Sequence, residues 1–149
     1  MHLKIASPEH PIYTGEIRQI TIPTEMGEIT VLPGHQPLTS VVKAGLITIT
    51  PMNMPEDKDA YTIDNGQIVL SVSKGLLLVD GENIVVTTSA ASAHAQHTAE
   101  ILDQMKKDMQ VQLDAITVEG NMEEFEKAMI NFEKITADLR LAKLGHIKK

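Results

Sequence analysis

Apolar residues recur along this chain in two rhythms. In roughly the first ninety residues they alternate with polar ones: Ile29 and Val31, then Ile68, Leu70 and Val72, then Ile84 and Val86. A period of two puts alternate side chains on one face of an extended strand. The runs are separated by glycine-bearing pairs at Thr14-Gly15, Met26-Gly27, Pro33-Gly34, Ala44-Gly45, Asn65-Gly66, Lys74-Gly75 and Asp80-Gly81. All seven prolines (8, 11, 23, 33, 37, 51 and 55) lie in this half. Short strands at about ten-residue spacing, broken by such turns, predict an antiparallel β-sandwich over residues 1–90. The run LLLV (76–79) is apolar on both faces, which suits a strand packed inside two layers. PMNMPEDKDA (51–60) breaks the rhythm and reads as an exposed acidic loop.

Beyond Ser89 the period lengthens. SAASAHAQ (89–96) is small and polar, a linker or the frayed start of a helix. Ile101, Leu102, Met105, Met109, Leu113 and Ile116 then recur every three to four residues and form one stripe on a helix. Glu119-Gly120-Asn121 ends it. Asn121 is a good N-cap for a second helix, and Glu124 stands three residues on, as in a capping box. A second stripe follows through Phe125, Met129, Phe132, Ile135 and Leu139. Residues 91–149 are therefore read as a two-helix antiparallel hairpin, and the fold class as β + α. A helix pair buries little by itself, so the hairpin has to dock on the sandwich or offer its stripes to a partner.

Composition narrows the function. The net charge of −7 argues against a nucleic-acid partner, because phosphate binding needs clustered cations. There is no Cys, which removes disulfides, thiolate metal sites and a Cys nucleophile. No apolar run is long enough to cross a bilayer, so direct membrane insertion is not expected. The first ten residues resemble neither a signal peptide nor a transit peptide, so the chain is expected to stay where it is made. Past Ile130 the charge turns positive, with Lys134, Arg140, Lys143, Lys148 and Lys149 against Glu133 and Asp138. That end complements its own helix dipole and also suits an acidic protein partner.

No catalytic motif emerges. Gly-x-Ser-x-Gly, the P-loop and Gly-x-Gly-x-x-Gly are absent, and no pair of carboxylates stands out. His94, His97 and Glu100 would share a helix face only if the first helix began early. Ser89 and Ser92 have no evident base. His35, at the tip of a loop stiffened by Pro33, Gly34 and Pro37, suits contact better than catalysis. The residues point to a binding module without a catalytic site, metal or cofactor of its own. A free-standing adaptor for an unrelated protein is the alternative that composition leaves open.

The loop residues carry a more specific signal. Gly27-Glu28, the apolar run to Val31, Leu32-Pro33-Gly34-His35-Gln36-Pro37-Leu38 and Lys43-Ala44-Gly45 resemble the epsilon subunit family of bacterial and plastid F-type ATP synthases, called delta in mitochondria. Tyr13-Thr14-Gly15-Glu16 is similar to the family's aromatic-Ser/Thr-Gly-Glu segment. Lys74-Gly75-Leu76-Leu77 and Asn83-Ile84-Val85-Val86-Thr87 resemble its last paired strands. Thr30, Gln36 and Ala44 depart from the residues usual there.

The resemblance implies a central-stalk subunit of a proton-translocating ATP synthase, held peripherally at the cytoplasmic face of the bacterial inner membrane or at a plastid thylakoid. Its sandwich would clamp the gamma subunit and the membrane ring of c subunits, with Ser7, Pro33, Gly34, His35 and Thr39 on that side. Its hairpin would lie on the sandwich or extend into the alpha/beta hexamer and block ATP hydrolysis. In the extended state Lys134, Arg140 and Lys143 would meet an acidic segment. Some members bind ATP through Ile/Leu-Asp-x-x-Arg-Ala on the first helix. Here the matching run is Leu102-Asp103-Gln104-Met105-Lys106-Lys107, and a lysine cannot form the bidentate fork of an arginine. ATP is therefore not expected as a ligand.

Overall fold

The computed structural model describes residues 1–95 and 97–147, so Lys148 and Lys149 lie outside the described residues. Ten strands come first: β1 (His2–Ala6), β2 (Pro11–Thr24), β3 (Gly27–Val31), β4 (Leu38–Val42), β5 (Gly45–Pro51), β6 (Thr62–Asp64), β7 (Gln67–Val72), β8 (Gly75–Val79), β9 (Asn83–Thr88) and β10 (Ala91–Ser92). Two helices follow, α1 (Ala99–Glu119) and α2 (Met122–Ile147).

One layer runs β4-β8-β9-β1, with β1 and β9 parallel and the other neighbours antiparallel. The second runs β3-β2-β5-β7, with β6 and β10 sharing the far edge of β7. The long strand β2 belongs to both layers. Its first half pairs with β1 and its second half with β3 and β5, and the β5 register shifts between Ile17 and Gln19 where it crosses over. Thr14-Gly15, which reads as a turn in the sequence, is therefore mid-strand. A glycine weakens a strand interior and commonly marks a bend, and here it precedes the crossing between layers.

The alternating residues meet between the layers. Ile5, Ile20, Ile47, Leu70, Leu77 and Val86 are all fully buried there. Each such side chain contributes about 1.5–3 kcal/mol by leaving water. The aromatic share of this core is small, with Tyr13 set edge-on to Tyr61 at 5.8 Å between ring centres.

The switch to helices comes later than residue 91. β10 adds two more residues to the edge of β7, and His94 ties the following turn down through Nε2 donating to the Asp59 carbonyl at 2.7 Å. Residues 89–95 are thus a strand end and an anchored turn rather than a frayed helix, and Gln96 lies outside the described residues. Thr98 is the N-cap of α1, its hydroxyl accepting from the Ile101 amide at 3.4 Å. Gly120 stops α1 in the left-handed conformation, and the Asn121 side chain accepts from the Glu124 amide at 3.3 Å. α1 packs on α2, and α2 packs on β5, β6 and β7, so α2 lies between α1 and the sandwich.

Gly75 opens β8 where backbones come closest. A Cβ at this position would overlap the Thr87 carbonyl oxygen and crowd the Thr88 Cα of β9. Backbone cannot swing aside as a side-chain tip can. Gly75→Ala should therefore force β8 and β9 apart at their start and lower stability by roughly 3 kcal/mol, the upper end of the overpacking range; urea unfolding followed by circular dichroism measures it.

Candidate functional site

Two strands carry apolar residues on both faces, and the structure treats them differently. In β7, Ile68, Leu70 and Val72 point into the core, while Val69 and Ser71 face outward and are still buried. The cover over that outer face is α2. In β8, Leu77 and Val79 point inward, and Leu76 and Leu78 face out at 47% and 45% exposure. The expectation that LLLV lies wholly inside two layers is therefore only half met, because one of its faces is open.

The neighbours extend that open face. Across β4, Leu76 pairs with Val41 and Leu78 with Thr39; across β9, they pair with Thr87 and Val85. Cross-strand partners share a face, so Val41, Leu76, Leu78 and Val85 form an apolar strip with Thr39 beside it. Lys4 pairs with Val85 and continues the strip onto β1. This face belongs to the layer opposite the one on which the hairpin rests. An apolar strip rimmed by polar residues on a rigid sheet marks a site for association with another protein.

The residues singled out from the loops lie at both ends of this face. β4 starts at Leu38 opposite Val79 and finishes at Val42 opposite Gly75. The Pro33-to-Pro37 loop therefore sits at the Val79 end. Gly34 is left-handed at φ +85, which closes the turn in which the His35 amide donates to the Leu32 carbonyl at 3.1 Å. His35 Nδ1 lies 2.8 Å from the Gln36 carbonyl, so this nitrogen carries the proton and Nε2 is left to face outward contacts. Ser7 follows β1, which runs parallel to β9, and so lies at the opposite end near Thr87. Its hydroxyl donates to the His10 carbonyl at 3.1 Å and fixes the β1–β2 turn. About five residues of strand, some 16 Å, separate the two ends. Thr39 and the leucine strip lie between. The leucine strip was the part that sequence reasoning missed, although its signal was the doubled apolar run itself.

On the hairpin, each residue of the degenerate nucleotide-like run has a helical role. Leu102 is buried in the seam, Asp103 pairs with Lys107 at 3.4 Å, and the Lys106 ammonium stands 5.7 Å above the Phe132 ring. Of the three cations, Arg140 and Lys143 are exposed, whereas Lys134 is mostly covered and pairs with Asp138 at 2.6 Å. Among the described residues no three His, Asp or Glu side chains come together as a metal site, and His94 and His97 precede the start of α1. No described helix is long and apolar enough to cross a membrane.

Two side chains near the N-terminal edge are electrostatically perturbed. Burial pushes the Tyr13 phenol above its ordinary value, with Tyr61 and Glu16 acting in the same direction. The hydrogen bond from His2, at 2.9 Å, together with the N-terminal ammonium at 3.5 Å, holds the exposed Glu16 carboxyl below its usual range against a smaller opposing desolvation. A lowered folded-state value means a contribution to stability that is present above the unfolded carboxylate range and is lost as pH falls through the folded value. His2→Ala should raise the Glu16 value toward the ordinary carboxylate range, as followed by NMR titration of its side-chain carboxyl.

Comparison with known proteins agrees with this architecture. The family model of the ATP synthase delta/epsilon chain β-sandwich domain matches residues 1–94. The chain is 36% identical over 89 residues to the ATP synthase epsilon chain of Campylobacter fetus, covering 60% of this chain and 67% of that one. It is 31% identical over 107 residues to the epsilon chain of Campylobacter curvus, covering 72% and 78%. The epsilon chain of Neisseria meningitidis is 27% identical over 129 residues, covering 87% and 85%. Among solved structures, a chain in the OSCP/F1/c-ring assembly of the Euglena gracilis mitochondrial ATP synthase superposes with a TM-score of 0.67 at 17% identity. That superposition covers 95% of this chain and 79% of the other, a likeness of fold that includes the hairpin region.

Proposed function

The chain belongs to the delta/epsilon family of ATP synthase subunits, and from that membership we propose that it is a central-stalk subunit whose sandwich grips the rotating shaft and whose hairpin regulates ATP hydrolysis. It is a non-catalytic part of a rotary ATPase. The observation that carries the reading is the open apolar strip on β4, β8 and β9. Torque passes through a contact only if neither surface yields, and a strip built on paired strands cannot shift without breaking the sheet.

The gamma subunit is the partner for this face. Thr39 and the leucines meet it along the strands. The Pro33-Gly34-His35 loop reaches past the Val79 end toward gamma or the c-ring, and Ser7 meets the shaft at the other end. The loop's stiffness follows from its prolines and from the two hydrogen bonds that His35 makes. The subunit is thereby held peripherally on the cytoplasmic side of the membrane that houses the ring.

The hairpin is the movable part. It occupies the layer opposite the strip, so the sandwich can hold the shaft whether the helices lie down or stand up. Standing up, it carries Arg140 and Lys143 toward the alpha/beta hexamer with Lys134 uncovered. Two conformations competing for the same apolar stripes constitute a two-state switch.

Two experiments separate these parts. Leu78→Glu changes a half-exposed side chain and should leave stability within about 0.5 kcal/mol. It should weaken association with the gamma subunit roughly tenfold or more, read by co-purification and by binding kinetics, since a charge would then be buried at the centre of the contact. Retained binding would refute the strip as the shaft contact. Ending the chain at Ala93 removes both helices and keeps β10. In the reconstituted complex this should raise ATP hydrolysis about fivefold or more, the scale of ordinary coupling between sites; unchanged hydrolysis would show that the hairpin does not regulate.

A further inference from the structure

Where α2 lies on the sandwich, the contact is polar at its centre. Lys134 Nζ donates to Asp138 Oδ1 at 2.6 Å, to Ser71 Oγ at 3.3 Å and to Ser92 Oγ at 3.3 Å, which uses all three ammonium donors. The Ser71 hydroxyl donates to the same Asp138 oxygen. Ser71 is fully buried on β7, and the Lys134 and Asp138 side chains are only 14% and 16% exposed. Apolar contacts flank this cluster, with Ala137 and Leu141 almost wholly buried. The N-terminal half of α2 instead stands off the sandwich across a cleft of about 600 Å³ lined by Lys43, Lys74, Phe125, Met129 and Glu133. Docking is therefore concentrated around residues 134–141.

We propose that Lys134 and Asp138, closed on Ser71 of β7 and Ser92 of β10, form a charge-balanced latch that sets the single register in which the hairpin docks and keeps that docking reversible. Its regulatory meaning rests on the proposed role of the hairpin, but the latch itself is a property of this chain alone.

Register follows from the spacing of residues on α2. A slip of one helical turn, about 5.4 Å, moves every contact by roughly four residues. In one direction Ile130 replaces Lys134 at Ser92, and Lys134 replaces Asp138 at Ser71. In the other, Asp138 takes the place of Lys134, and Ala142 that of Asp138. Either slip breaks part of the cluster: the first sets aliphatic Ile130 against the Ser92 hydroxyl, and the second sets Ala142 where the buried Ser71 hydroxyl had its carboxylate acceptor. A polar group left without its partner costs more than a shifted apolar contact. The flanking apolar side chains Ala137 and Leu141 would not forbid such a slip by themselves.

Reversibility follows from the pair lying within one helix. Lys134 and Asp138 are four residues apart on α2, so the ion pair survives when the hairpin lifts. Undocking breaks only the serine contacts and returns two charges to water, and that hydration offsets part of the apolar burial lost. Well-packed apolar side chains in the same places would hold α2 more tightly, whereas removing one charge leaves the other buried and unbalanced. The latch also covers Lys134 while the hairpin is down and exposes it only on release. Arg140 and Lys143 are exposed already.

The two kinds of variant therefore move the docking equilibrium in opposite directions. Hydrogen–deuterium exchange on the full-length chain reads it, with protection of α2 compared against protection of β7 and β9 in the same molecule. Asp138→Ala should speed exchange across α2 at least about tenfold while the sandwich strands stay protected. The double variant Lys134→Met/Asp138→Leu should slow α2 exchange below that of the unaltered chain. The latch is overturned by unchanged α2 exchange in Asp138→Ala, or by a double variant that exchanges as fast as the single one. Loss of sandwich protection in Asp138→Ala would overturn it as well, because the pair would then support the fold rather than the docking. No shaft or ATPase enters this measurement, so its failure leaves the central-stalk reading standing. Failure of that reading would appear instead as unchanged gamma binding in Leu78→Glu.

Discussion

Apolar side chains on the outer face of a two-layer sandwich have to be covered, and two strands of this protein carry them. A strand with one wet face needs only alternation, as His2 to Ile5 of β1 display. β7 and β8 depart from it, with Val69 outside on one and Leu76 and Leu78 outside on the other. The chain supplies one cover itself, laying α2 over β7, and leaves the other strip open. The division of labour in the molecule follows from that asymmetry. One outer face is closed by the chain's own helix, and the opposite outer face stays open.

The two faces differ in chemistry. The open strip is aliphatic and set on rigid backbone, which suits a contact that holds under load. The covered face has serines at its centre and meets a lysine and an aspartate. A buried ion pair is weak evidence for stability. β2 supports both arrangements by passing from one layer into the other, so the strip and the hairpin seat belong to one continuous sheet system. Release of the hairpin need not loosen the strip, since the cores of β4, β8 and β9 are sealed by Leu77, Val79 and Val86 from within.

Membership of the delta/epsilon family accounts for the sandwich, and this chain's own residues give the hairpin its detail. Lys106 stands over an aromatic ring, and Asp103 is engaged with Lys107. Within the helix run that resembles a nucleotide motif, Lys106 thus reaches across to α2, while the Asp103–Lys107 pair lies on the exposed face of α1.

Local chemistry was legible from the sequence alone because it acts over a few residues. Period-two runs became strands, Gly120 and Asn121 with Glu124 became the stop and start of helices, and the proline-rich loop became a stiff turn. Those features depend on backbone dihedrals and on hydrogen bonds that span three or four positions. Where the sequence reading erred, the deciding partner lay far along the chain. Gly15 reads as a turn until β1 is seen beside it, and SAASAHAQ reads as a linker until His94 finds Asp59, 35 residues away. The sequence does not place Ser7 and His35 relative to each other, whereas strand direction sets them at opposite ends of one face. The pair Lys134 and Asp138 is visible as an i,i+4 motif, but its burial against Ser71, 67 positions from Asp138, is not. A strand's doubled apolar faces can be read from its residues, while the choice of which face receives the chain's own helix belongs to packing in three dimensions.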